Sequence, residues 1–106
     1  EKSKLISGYH LKMNSKTLGY ETIAFVGVHL ETDAVLASVV KRFKEIKEVV
    51  ECHYTSGNFS VFVKIQCKSQ QDLVTLLETK VVKVHGVKKI ETFLSLQEQF
   101  EREIYL

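Results

Sequence analysis

A chain of 106 residues is long enough for one domain with a real core and short enough that a single sheet should dominate it. Its 44% hydrophobic and 26% charged residues are those of an ordinary globular protein, and no apolar run reaches the roughly 18 residues that a membrane span needs. Fifteen basic against thirteen acidic side chains leave a net charge of +2, too weak to point to a nucleic-acid partner by charge alone.

Residues 1–21 are mixed and turn-rich, and "SGYHLKMNSKTLGYE" shows no sustained period, so this segment reads as a linker. The run "TIAFVGVHL", Thr22 to Leu30, is β-branched, aromatic and apolar on both faces, which predicts a strand covered on both sides. Thr32 can cap a following helix with Asp33 in its first turn, and Leu36, Val39, Val40, Phe43 and Ile46 recur at helical spacing. "VVECHYT" alternates as a second strand, and Gly57-Asn58 is a hairpin dipeptide that should fold the third strand back antiparallel. Along that third strand Phe59, Val61, Val63, Ile65 and Cys67 are expected on one face, with Ser60, Phe62, Lys64 and Gln66 on the other.

Ser69 to Asp72 has the character of a capping box, and Leu73, Leu76, Leu77, Val81 and Val84 supply the apolar stripe of a second helix that Gly86 should end as a C-cap. "VKKIETFLSL" alternates as a last strand before the charged tail of residues 97–106. The order is β-α-β-β-α-β, with each half running strand, helix, strand. It predicts an α+β, ferredoxin-like domain over residues 22–96: a four-stranded antiparallel sheet with both helices on one face.

Both helices on one side leave the other sheet face open, and that face holds large apolar residues, among them Phe62 and Phe93. A contiguous apolar face on a soluble chain normally meets a partner, so a two-fold, sheet-to-sheet homodimer, an α+β barrel-like assembly, is the expectation. The alternative is that the linker and the tail, through Phe100, Ile104 and Tyr105, fold back over the sheet of their own chain.

No chemistry of catalysis stands out. The sequence contains no nucleophile elbow, phosphate-cradling glycine loop or HExxH zinc motif, and His10, His29, His53 and His85 are scattered. Cys52 and His53 are strand neighbours pointing to opposite faces, so they cannot share a metal; Cys52 and Cys67 read as buried free thiols. The expectation is a chain that is not an enzyme and uses no cofactor. The β-α-β-β-α-β order also serves RNA-recognition domains, but no register of "GNFSVFVKI" matches the stacking aromatics of their third strand. Without a secretory signal, the expected compartment is the cytoplasm.

Three stretches, "ISGYHLKMNSKTLGYETIAFVGVHLE", "EVVECHYTSGNFSVFVKIQC" and "VHGVKKIETFLSL", resemble the C-terminal half of the Lrp/AsnC, or feast-famine, transcription regulators. The resemblance is most specific at Gly8-Tyr9, Leu18-Gly19, Val49-Val50-Glu51 and the turn around Gly57. It implies a ligand-binding and oligomerisation domain, following a missing N-terminal helix-turn-helix that binds DNA. It also implies homodimers assembling into octameric rings, and an amino-acid effector bound between dimers. Carried over by position, the effector residues are Thr55, Ser56, Gly57, Asn58 and Ser60 at the turn and Thr92 on the last strand. Ser60 stands where the family often has Asp, and Ile90 replaces the first residue of a Thr-x-Thr pattern. The physics of the turn suits a small zwitterion, since backbone N–H groups exposed by a glycine can hold a carboxylate while hydroxyls orient it. The competing explanation of Gly57-Asn58 is that it only makes the hairpin. Two functional alternatives also stand: an assembly domain without effector, and a stand-alone small-molecule-binding module.

Overall fold

Strand β1 (Thr22–Leu30) sits inside the sheet, paired antiparallel with β3 (Val61–Cys67) on one side and β4 (Val87–Leu94) on the other. The structure is a computed structural model that describes residues 22–104, so the linker expected over 1–21 and the tail residue Tyr105 lie outside the described residues. Strand β2 (Val49–Tyr54) adds to the free edge of β3, giving the order β2-β3-β1-β4 with every neighbouring pair antiparallel. Helix α1 (Leu36–Lys44) connects β1 to β2, and helix α2 (Gln70–Leu76) with its continuation connects β3 to β4. The ferredoxin-like α+β architecture is therefore the observed one.

Alternation along the two central strands sorts their side chains. Ala24, Val26 and Val28 of β1 and Val61, Val63, Ile65 and Cys67 of β3 face the helices and are buried, packed with Val39 and Phe43 of α1 and Leu73 and Leu76 of α2. Each large aliphatic or aromatic side chain buried in this way contributes about 1.5–3 kcal/mol. Phe25 and Phe62 project from the same strands to the opposite face.

Four local expectations are corrected. Thr32 does not cap α1 with its hydroxyl: the chain enters through a 3₁₀ turn, Asp33–Val35, and the Thr32 carbonyl accepts from Val35 N at 3.4 Å instead. Ser69 does cap α2, its Oγ accepting from Asp72 N at 3.1 Å. Gly86 does not end that helix, which runs on as a π segment, Leu77–Val81, and is followed by a turn. Gly86 adopts φ +102° at the entry to β4, where its carbonyl accepts from Glu31 N and its bare Cα leaves room for Val35 and Val39.

The third correction concerns the hairpin. Its last strand pair is Tyr54 with Val61, so residues 55–60 form a longer loop in place of a two-residue turn. The fourth follows from it. Phe59 precedes β3, is freed from the strand's alternation, and turns to the open face beside Phe62, not to the helix side with Val61.

Candidate functional site

The six sequence-predicted residues fall in two places. Thr55, Ser56, Gly57, Asn58 and Ser60 share the β2–β3 loop; Thr92 lies on β4. The base of the loop is tied down. Thr55 N donates to the Ser60 carbonyl at 3.0 Å, Thr55 Oγ1 donates to the Phe59 carbonyl at 2.7 Å, and Ser60 N donates across to Val28 of β1 at 3.2 Å. The tip is different: Ser56, Gly57 and Asn58 are all exposed, Gly57 has φ +130°, and nothing lies within 4 Å of where its Cβ would stand. A glycine there turns the chain without obstructing the approach of another molecule. The tip presents a hydroxyl, an amide side chain and unblocked backbone, a set able to hydrogen-bond a small polar ligand.

Thr92 is not brought to this loop within one chain. It pairs with Val26, on the helix side of β4, and β1 stands between it and Ser60. Ile90 lies on the same side, half-buried against the core.

The open face beside the loop is aromatic. Phe25 and Phe62 stack, and Phe59 touches Phe62, Phe93 and the ring of His29. Polar contacts frame this cluster: His29 Nε2 lies 3.0 Å from Glu91 Oε2, and Glu51 lies 3.1 Å from His53 Nε2 and 3.9 Å from Lys64 Nζ. The tail reaches one end of the face, where Phe100, Glu98 and Glu101 border a hollow of about 280 Å³ with Ile23, Phe25 and Lys64. Its described residues do not close over the sheet: Phe100 and Ile104 remain 73% and 71% exposed, and Phe93 remains 48% exposed.

A second cleft, of about 330 Å³, lies between α2 and the end of β3, bordered by Glu48, Cys67, Asp72, Thr75 and Thr79 among others. Glu48 Oε1 is buried there without a hydrogen-bond partner. Burial, followed by the negative charges of Glu48 and Asp72, pushes the Cys67 thiol above its ordinary pKa. Of the two cysteines expected to be buried, only Cys67 is; Cys52 lies on the edge strand β2 and is exposed. Among the described residues, no group of three or more His, Cys, Asp or Glu side chains is placed to hold a metal ion. Among them, too, no helix is long and apolar enough to cross a membrane.

Comparison with known families decides the broader class. The family profile described as "Lrp/AsnC ligand binding domain" matches residues 23–104. The chain belongs to the Lrp/AsnC family. Regulatory protein AsnC of Haemophilus influenzae is 31% identical over 102 residues, covering 96% of this chain and 68% of the relative. The structure of Escherichia coli AsnC superposes with a TM-score of 0.81 at 31% identity, covering 84% of this chain and 60% of that one. A transcriptional regulator from Neisseria meningitidis, solved as an L-Met complex, shares the fold with a TM-score of 0.76 at 14% identity, over 82% of this chain and 57% of that one. This Lrp/AsnC chain thus spans roughly 60–70% of the AsnC proteins it matches, which are named as regulatory proteins.

Two features of this Lrp/AsnC domain escape a reading of the sequence: Phe59 lies on the open face, and Gly27 is its seat. A Cβ at Gly27 would overlap the Phe59 ring. The available signal is the glycine itself, since a glycine inside an otherwise apolar strand marks a close approach.

Proposed function

We propose that this domain senses an amino acid or a related zwitterion at the β2–β3 loop and transmits its presence through assembly to DNA binding by another part of the full-length regulator. In this proposal residues 1–21 are the linker that follows a helix-turn-helix, residues 22–96 the ligand-binding domain and residues 97–106 its tail. The observation that carries the ligand reading is the loop tip: a positive-φ Gly57 with open space around it, flanked by exposed Ser56 and Asn58. The glycine leaves N–H groups approachable by a carboxylate, and the flanking side chains can orient the rest of the molecule. Thr55 spends its hydroxyl proton on the Phe59 carbonyl, so its part is to hold the loop's shape. The L-Met complex of the Neisseria protein supports the ligand class, as does membership in a family whose domain is described as ligand-binding.

Self-association uses the open sheet face, two copies meeting through Phe25, Phe59, Phe62 and Phe93; the separation of Thr92 from the loop fits a site completed by a neighbouring copy in a dimer or octamer. A purely structural assembly domain is the rival reading, favoured by Ser60 in the position where the family often has Asp. Calorimetry with the twenty amino acids tests the two. Heat of binding from one or a few of them is expected; no binding at millimolar ligand would leave the structural reading standing.

A further inference from the structure

The cleft between α2 and the end of β3 holds a charged group whose hydrogen bonding is incomplete. Glu48 Oε1 is buried there and meets no donor among the described residues. Buried polar atoms in folded proteins are nearly always paired, and a carboxylate oxygen left without a donor is costly. Asp72 faces the same cleft from the first turn of α2, where the Ser69 cap fixes its backbone. Its carboxylate makes no hydrogen bond or ion pair with a described residue. Asp72, Thr75, Leu76 and Thr79 recur at helical spacing, so one face of the helix and its continuation turns to the cleft.

The Thr79 hydroxyl donates to the Thr75 carbonyl at 2.6 Å, which leaves its lone pairs able to accept. Three acceptors thus border a hollow of about 330 Å³ whose floor is apolar, formed by buried Leu76 and Cys67. The Cys67 thiol is raised by burial first and then by Glu48 and Asp72, so both negative charges act on that floor. Lys47 and Lys80 also border the cleft, and both are exposed. Acceptors and negative charge inside, with positive charge outside, suit a ligand that brings N–H donors and a single positive charge.

We propose that this cleft binds a small primary ammonium compound, the ammonium group donating to Glu48, Asp72 and Thr79 and the alkyl chain lying on Leu76 and Cys67. Lys47 and Lys80 repel a second positive charge and attract an anionic far end, so an ω-amino acid or a monoamine is preferred over a diamine. The site is separate from the loop at residues 55–60. That loop joins the opposite end of β3, a strand of seven residues and so about 20 Å long. Binding in the cleft therefore does not depend on an amino acid at the loop.

The test is an amide-detected NMR titration of the full chain with butylamine, 4-aminobutyrate, putrescine and butyrate at matched ionic strength. Butylamine and 4-aminobutyrate should give saturable shifts at Glu48, Cys67, Asp72, Thr75 and Thr79 at millimolar concentration. 4-Aminobutyrate should bind about threefold more tightly than butylamine, and putrescine more weakly than either. Glu48→Gln keeps the shape of the side chain and removes its charge, and should weaken butylamine binding at least about tenfold. Because Glu48 Oε1 bonds to no described residue, this variant should retain the thermal stability of the parent. Asp72→Asn supplies a second, exposed position at which binding should fall while the fold persists.

Absence of saturable cleft shifts with both butylamine and 4-aminobutyrate overturns the proposal, as does undiminished binding in Glu48→Gln and Asp72→Asn, or a response to butyrate alone. Tighter binding of putrescine than of butylamine overturns the role given to Lys47 and Lys80. A matching loss of stability in Glu48→Gln and Lys47→Ala, with no amine bound, would show instead that Glu48 pairs with a lysine of its own chain.

Discussion

The rings of Phe25 and Phe62 lie 6.0 Å apart and within 11° of parallel, on the sheet face that neither helix covers. Neither ring contributes to the buried cluster between sheet and helices. A charge at Phe62 should therefore cost the isolated fold little but be expensive at any interface that buries it. Phe62→Glu is expected to keep the circular dichroism spectrum of the parent and to weaken self-association at least tenfold, about 1.4 kcal/mol, by sedimentation equilibrium. Unchanged association would show that another surface joins the copies.

Two glycines with positive φ should respond differently to the same substitution. Gly57→Ala meets no neighbouring atom, so it carries only the strain of its backbone, about 1 kcal/mol. Gly86→Ala adds a collision, since the new methyl would stand 2.8 Å from Val35 Cγ2 and 3.2 Å from Val39 Cγ2. Its cost should rise to about 2–3 kcal/mol. Urea denaturation of the pair gives the comparison directly.

The π segment changes which side chain reaches the core. An uninterrupted α-helix that buries Leu73 and Leu76 would bring Lys80 to the sheet next; the widened turn inserts one residue, so Val81 is buried and Lys80 stays exposed. Val81→Ala should lower stability by about 2 kcal/mol, whereas Lys80→Ala should stay within about 0.5 kcal/mol of the parent, both by thermal denaturation.

Cys67 should make stability fall at alkaline pH. Burial, with Glu48 and Asp72, raises its thiol pKa in the folded state, so the folded chain holds this proton more tightly than the unfolded chain does. The corresponding stabilisation is complete below the unfolded thiol value of about 8.5 and is lost as pH rises through the folded value. Chemical denaturation of the parent across this range should show a steeper loss than that of Cys67→Ala.

The element order and the buried stripes were legible because period 2 and period 3.6 leave separate marks: Val61, Val63, Ile65 and Cys67 alternate, while Val39, Phe43 and Ile46 recur at helical spacing. What stayed hidden involves departures from those periods. Extending the alternation of β3 upstream to Phe59 puts its ring on the wrong face, because Ser60 belongs to the loop and not to the strand. Gly57-Asn58 resembles a two-residue turn, although the hydrogen bonds of Thr55 and Ser60 close a longer loop. Leu77 and Val81 both fit an apolar stripe, and nothing local distinguishes a π turn from an α one. Of the candidate site, the loop residues were recognisable as a group, whereas the distance of Thr92 from them depends on strand order.

The most direct test of the central claim is an NMR titration of the amide-labelled chain with the amino acid that calorimetry selects. Saturable shifts concentrated at Ser56, Gly57, Asn58 and Ser60 are the expected result. Shifts confined to the cleft around Glu48, Asp72 and Thr75, with the loop unmoved, would contradict it.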